Sequence, residues 1–488
     1  MFGTKVLMTA PVMALLLCGT AQAALTADQV WADLQAAATE GGMTITVATE
    51  VAGDGELTLN GVTVAPTGEA PIATISELSL VEQEDGSVAF FPGEIKLENT
   101  APATVVLTHQ ELSVSVFEDE GGLGYGIDAD SLKLQVDMAE GDTAFNGVFD
   151  LVSVGGRYTR GAEALGIDMS AEKLVYAITQ KDPAAAIDTV TSSDTADLVM
   201  TGELTLPEGV DLAGLQSTQA FADAVRAGLG LSLEVTQGAS VGDLVDNNPL
   251  VPMSFAYSAE PGVTAIAANV DTFDVSTSVE GMQLTARPPM VPAPVNMSAD
   301  VFGMGFVMPM VTGETSGDYG LTLDIANLVL DDAAWNLIDA GNVLEHGPLD
   351  VALDLGGTAK IDVLDLMVSG ETGAPPTSLP EAETLDIRTL TVKAIGAALT
   401  GTGAFTFDNS AVAAGGPPMP IGTADLRLEG GNKVIDGLIK LGVLTEDDAM
   451  GARMMMAMFG KTEGEDVLTS KIEAKEGGSI FVNGQQIQ

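Results

Sequence analysis

The chain has 488 residues, with 69 acidic and 19 basic side chains and a formal net charge of −50 at neutral pH. That balance counts against nucleic acid and against electrostatic docking on anionic lipid headgroups, since both need clustered Lys and Arg. It does not imply disorder, because 46% of residues are hydrophobic and only 18% are charged, so the chain can bury a core.

The first 23 residues read as a cleavable export signal. Lys5 gives a positive start, Val6 to Leu17 is an apolar stretch of 12 residues, and Ala21-Gln22-Ala23 is an A-x-A cleavage site. A helix of that length spans about 18 Å, well short of the roughly 30 Å hydrocarbon core, so no integral membrane span is expected in the mature chain. Lipoprotein anchoring at Cys18 is the weaker alternative, because Leu17 stands where a small residue is wanted. Cleavage after Ala23 removes the only cysteine. The expectation is a periplasmic protein with no thiol, no disulfide and no cysteine metal ligand.

The mature chain opens on a helix. Thr26-Ala27-Asp28-Gln29 has capping-box spacing, Val30, Trp31, Leu34 and Ala38 follow at helical spacing, and Gly41-Gly42 ends it. The period then changes to two, over Met43 to Ala48, Leu57 to Val64, Glu111 to Val116 and Ser131 to Met138. Asp54-Gly55, Asn60-Gly61, Asp85-Gly86 and Asn146-Gly147 read as hairpin turns, where Gly tolerates positive φ. Ser217 to Gly228 reads as a helix with Phe221 and Val225 on one face, followed by strands at Leu231 to Val235 and Met253 to Tyr257.

The Pro-rich run Arg287 to Pro294 cannot be a central strand and divides a first half, 24–286, from a second, 295–488. The second half repeats the first in outline. Strands at Leu321 to Ile325 and Leu328 to Leu330 lead into a helix start at Asp331-Asp332, which carries Trp335. Leu349 to Leu355, Ile361 to Val368 and Leu385 to Val392 read as strands, with Pro-rich loops at Glu371 to Glu383 and Gly415 to Pro420. A helix pair, Asn432 to Leu441 and Thr445 to Phe459, forms a Met-rich segment 432–460. An alternating hairpin with a Gly477-Gly478 turn closes the chain. The fold class is therefore mainly β (α+β): extended twisted antiparallel sheets with a few short helices, in two loosely repeated halves.

No reaction is legible. His109 and His346 are the only histidines, and neither has a second His or a Cys nearby, so both read as surface or edge residues. No nucleophile elbow, P-loop or dinucleotide fingerprint occurs. No catalytic, cofactor-binding or metal residue is assigned, and the chain is not expected to be an enzyme. An outer-membrane barrel would need aromatic girdles, and aromatics are only 5% here. Met450, Met454 and Met458 fall at i, i+4 and i+8. Either they are adaptable core filler, or they form a pliable apolar lining that meets acyl chains or a partner helix.

Three stretches resemble an uncharacterised bacterial family, the domain of unknown function 2125 family. They are Leu328-Val-Leu-Asp-Asp-Ala-Ala-Trp335 with Ile338-Asp339 and Gly347-Pro348-Leu349, then Leu428-Glu-Gly-Gly-Asn432 with Ile435-Asp436, then Gly477-Gly-Ser-Ile-Phe-Val-Asn-Gly-Gln485. The resemblance is taken to cover most of the mature chain. The family in turn looks distantly like AsmA-type envelope proteins, whose long twisted sheets form a hydrophobic groove, which implies a lipid-related role. The leading expectation is an exported periplasmic binding or scaffold protein that takes a lipid or other hydrophobic ligand. The alternative is a structural protein whose partner is another envelope protein. An open apolar trough favours the first, and a filled sandwich the second.

Overall fold

The computed structural model describes residues 25–40, 42–97, 103–119, 122–161, 164–207, 210, 217–248, 252–289, 291, 293–313, 315–412 and 415–487. The expected export signal, residues 1–23, and Cys18 lie outside the described residues. The chain forms two compact units. Unit 1 comprises residues 1–206 and 235–254, and unit 2 comprises 207–234 and 255–488.

In chain order, α1 (Ala27–Glu40) precedes β1 (Met43–Thr46), β2 (Thr49–Ala52), β3 (Glu56–Pro66), β4 (Ala73–Glu82), β5 (Val88–Pro92), β6 (Ile95–Leu97), β7 (Ala103–Gln110) and β8 (Ser113–Asp119). Four long strands follow: β9 (Gly122–Glu140), β10 (Thr143–Arg160), β11 (Ala164–Asp182) and β12 (Ile187–Thr205). Then come α2 (Thr218–Arg226), β13 (Gly230–Gln237), β14 (Ser240–Asp246), β15 (Met253–Ala259), β16 (Gly262–Ala268), β17 (Thr272–Arg287), β18 (Val295–Pro309) and β19 (Gly317–Leu330). The remainder is α3 (Asp332–Ile338), β20 (Leu349–Lys360), α4 (Val363–Thr372), β21 (Glu381–Ala382), β22 (Thr384–Ala394), β23 (Ala397–Asp408), β24 (Met419–Glu429), α5 (Gly431–Lys440), α6 (Glu446–Phe459), β25 (Lys461–Gly464), β26 (Val467–Lys475), β27 (Ser479–Val482) and β28 (Gln485–Gln486). The chain is mainly β with six helices among the described residues, as its period-two patterning predicts.

Unit 1 has a closed core beneath α1. Thr26 and Gln29 exchange the reciprocal hydrogen bonds of a capping box and start α1. Val30, Trp31 and Leu34 of α1 then pack with Leu57, Leu59, Val62, Leu78, Leu80, Val88, Phe90 and Val116. From there β9, β10, β11, β12 and β14 continue as an antiparallel sheet. A 19-residue strand such as β9 reaches roughly 60 Å.

A transverse irregularity crosses this sheet. Ser153 on β10 (φ 51°) and Asp197 on β12 (φ 48°) adopt left-handed backbone on either side of Glu172, which accepts a 2.9 Å hydrogen bond from Ser153 Oγ. The strand alternation changes parity across this line. On β9 the buried side chains Leu123, Tyr125 and Ala129 are odd-numbered, and the apolar, half-buried ones are even-numbered from Leu132. Both sets pack in one cluster with Val154, Leu151 and Ala171, so the apolar side stays on one side of the sheet. Unit 2 has the same device, with Gly281 (φ 54°) and Asn327 (φ 53°) flanking Asp300, which accepts from Asn327 Nδ2 at 3.0 Å.

In unit 2, β16 to β20, β22, β23, β24, β26 and β27 pair in succession, all antiparallel. The run Arg287 to Pro294 connects β17 to β18, which pair with each other. It is thus a hairpin connection inside unit 2, and the units divide at 206/207, 234/235 and 254/255. Trp31 and Trp335 both sit buried on helices, one in each unit.

Three local expectations need correction. Asn60-Gly61 is no turn: Gly61 (φ 64°) lies inside β3, opposite the break between β1 and β2, both of which pair with β3. Asn146-Gly147 also lies inside a strand, and the β9–β10 turn is Gly141-Asp142, with Gly141 at φ 62°. Residues 363–368 are helix, not strand. Asp362 caps α4 through Asp365 N, Gly373 ends it in left-handed conformation, and the one fully buried side chain is Leu364. The apolar run there satisfies either period, and the cap and stop signals decide it. On α2, which forms where its spacing predicts, Val225 is buried and Phe221 is exposed.

Candidate functional site

The first candidate is a sheet face in unit 2. Residues directly opposite in antiparallel strands share a face. One row runs Val275, Phe306, Leu321, Leu355 and Ile387 across β17, β18, β19, β20 and β22. The next runs Met304, Leu323, Leu353 and Leu390, and a third Val279, Phe302, Ile325, Val351 and Val392. None of these side chains is fully buried, and Met304, Phe306 and Leu321 are 48%, 43% and 39% exposed. The opposite face presents Ser276, Thr322 and Asp354 in register. The sheet is amphipathic, and its apolar face is open to solvent rather than closed as a filled sandwich. Unit 1 has a smaller version, where Leu107, Leu134, Phe149 and Tyr176 form a half-buried row.

The polar side of β22 to β26 carries a shallow depression lined by Arg388, Arg427, Lys461 and Lys471. Each cation is met by a nearby carboxylate, Asp354, Glu429, Glu463 and Glu473 respectively, at 3.1, 2.7, 3.6 and 3.7 Å. This is a field of exposed ion pairs, each of small energetic weight.

The second candidate is α6. Thr445 and Asp448 form a capping box at its start. Its inward side mixes apolar and polar groups: Ala449 is fully buried, Met456 and Phe459 are half-buried, and Arg453 donates to Asn432 Oδ1 at 3.2 Å and to Asp436. Its outward side carries four of its five methionines. Met450, Met454 and Met458 are 59%, 62% and 57% exposed, and Met455 is 60% exposed. The three predicted residues are therefore brought to one surface stripe, joined by Met455, and they do not fill a core. Apolar side chains thus lie on both faces of α6, where a surface helix ordinarily confines them to one.

The motifs that carried the family resemblance turn out to be latches. Asp339 is 1% exposed, and its carboxylate accepts from Val343 N, Leu344 N and His346 Nε2 at 2.7, 2.7 and 3.0 Å. His346 stacks on Trp335 at 4.2 Å, with the rings 4° from parallel. It is thus half-buried in a structural cluster, not a surface residue, while His109 sits on β7 bonded to Gly93 O at 2.8 Å. Asp466 caps α5 from outside, accepting from Asn432 N and Lys433 N at 2.9 and 3.0 Å. Asn483 ties the last hairpin to the end of α6, donating to Phe459 O at 2.9 Å and accepting from Lys471 N. Sequence reading missed the Asp339–His346 contact because the loop must close before the two residues meet.

Burial works against ionisation of Asp339, but the Leu344 and Val343 N–H groups and His346 outweigh it and hold the carboxyl below its ordinary range. Burial is likewise outweighed at Asp466 by the Asn432 and Lys433 N–H groups. Asp331, Glu345, Asp350, Glu383, Asp408 and Asp448 are also lowered. Among the described residues of unit 1, only Asp85 is lowered, chiefly by the Ser87 hydroxyl, and burial raises Asp33. A lowered folded-state pKa gives stability that is complete above the unfolded value and is lost as pH falls through the folded one. Calorimetry between pH 5 and 2 should therefore show unit 2 losing stability more steeply than unit 1, starting near pH 4. Equal slopes would contradict the assignment.

Fold and site together define a mainly β protein with exposed apolar surfaces and no helix, among the described residues, long and apolar enough to cross a membrane. Residues 252–479 match the model of a family described as an uncharacterized protein conserved in bacteria, domain of unknown function 2125, and this segment belongs to that family. The match covers the first two quoted stretches and the opening of the third, and it lies outside most of unit 1. Neither the curated proteins nor the solved structures give a match.

Proposed function

We propose that the protein is an exported, periplasmic, non-enzymatic binding protein that holds a lipid-like ligand on the apolar face of the unit 2 sheet. The observation that carries this reading is the solvent-open triple row around Met304, Phe306 and Leu321, within the family segment. Contiguous exposed apolar surface on this scale marks a binding surface rather than ordinary exposure. The leader Met1 to Ala23 supports export. Produced with its leader, the protein is expected in the periplasmic fraction beginning at Ala24, and solvent extraction should release bound lipid detectable by mass spectrometry. A cytoplasmic protein retaining Met1 would contradict export. A lipid-free protein that also takes up no lipid from added extract would contradict the ligand.

A second reading, an interaction protein with an envelope-protein partner, is favoured by α6. Its Met450, Met454, Met455 and Met458 stripe is convex helix surface, which suits a partner helix better than an acyl chain.

A further inference from the structure

We propose that the outer face of α6 docks a basic amphipathic helix of a partner protein. This rests on the interaction reading of α6 and is independent of the lipid reading of the sheet. Three observations select the partner's chemistry. The face is apolar and adaptable: four methionines stand in one stripe, each more than half exposed, continued toward the preceding turn by Val443, 68% exposed. Unbranched thioether side chains repack around differing anchor residues, which is how promiscuous helix-binding surfaces work.

The charge that α6 itself places on that face has one sign. Asp447 lies one turn before Met450 on the same stripe, and Glu446 is exposed beside it. The only cation of α6 is Arg453, which is turned inward to Asn432 and Asp436. A partner with Lys or Arg flanking its apolar anchors therefore meets complementary charge.

The net charge disfavours the competing occupants. A second copy would bring another chain of −50 and another Asp447 against the first, and an anionic bilayer surface would repel both. The 14 residues of α6 span about 21 Å, enough to seat a helix with apolar anchors at i, i+3/i+4 and i+7.

The test uses the full mature chain and a fluorescent peptide of about 18 residues, with a Leu stripe at that spacing and Lys elsewhere. Its controls are the same peptide with every Lys replaced by Glu, and zwitterionic phosphatidylcholine vesicles. The Lys peptide should bind at least about tenfold tighter than the Glu peptide, and the gap should close near 1 M salt, where the Debye length is about 3 Å. The double variant Met454→Gln/Met458→Gln, with near-UV circular dichroism unchanged because both side chains are exposed, should lose at least tenfold in affinity. Equal Met-dependent binding of both peptides would overturn the basic partner while keeping α6 as an interaction face. Failure of both peptides, Lys-peptide binding unchanged in the double variant, Met-dependent binding to vesicles instead, or a Met-dependent dimer in sedimentation would overturn the docking proposal altogether.

Discussion

Trp335→Ala is expected to cost unit 2 about 3–5 kcal/mol, the range for deleting a large aromatic from a packed site. The indole is buried on α3 and stacked on His346, which pairs with the fully buried Asp339. Removing it unseats the imidazole and loosens the 339–346 loop, whose Val343 and Leu344 N–H groups depend on that carboxylate. Unit 2 is large, so each kcal/mol moves its midpoint by only about 2–4 °C, and the drop should be roughly 10 °C. Trp335→Phe should recover more than half of it. Calorimetry of both variants checks this. A loss below about 1 kcal/mol for the alanine variant would mean that the loop does not rely on the stack.

Leu80→Asp should be still more disruptive, but in unit 1. Leu80 is 0% exposed at the centre of the cluster that α1 closes with Trp31. A carboxylate there has no partner, and the cost should exceed about 4 kcal/mol. Because the two units have separate cores, the unit 1 transition should vanish or fall steeply while the Trp335 environment of unit 2 is retained. Near-UV circular dichroism and limited proteolysis distinguish the two. Simultaneous loss of both units would show that they fold as one.

The strand architecture was legible because each sheet keeps one apolar side, so Ser131 to Met138 had to alternate. The start of α1 was legible for a local reason, since Thr26 and Gln29 form its cap by themselves. Errors fell where one local signal had two solutions. Gly61 and Gly147 could have turned the chain, yet both lie inside strands of the long pairings. The 361–368 run could have been strand until Asp362 and Gly373 fixed it as helix.

The candidate site was legible only in composition. The spacing of Met450, Met454 and Met458 places them on one face, but spacing cannot say whether that face meets the core or water. Arg453, drawn inward by Asn432 and Asp436, together with buried Ala449, decides the rotation of α6. The open face around Met304 is likewise invisible in alternation, which is the same whether a sheet is covered or bare.

The most direct test of the lipid-binding reading is titration of a fluorescent long-chain fatty acid into the delipidated mature chain, the double variant Met304→Asn/Phe306→Asn, and Met454→Gln. The account predicts saturable binding to the first, at least about tenfold weaker binding to the second, and unchanged binding to the third. Saturable binding that is indifferent to Met304 and Phe306, or no binding by the unaltered chain, would contradict it.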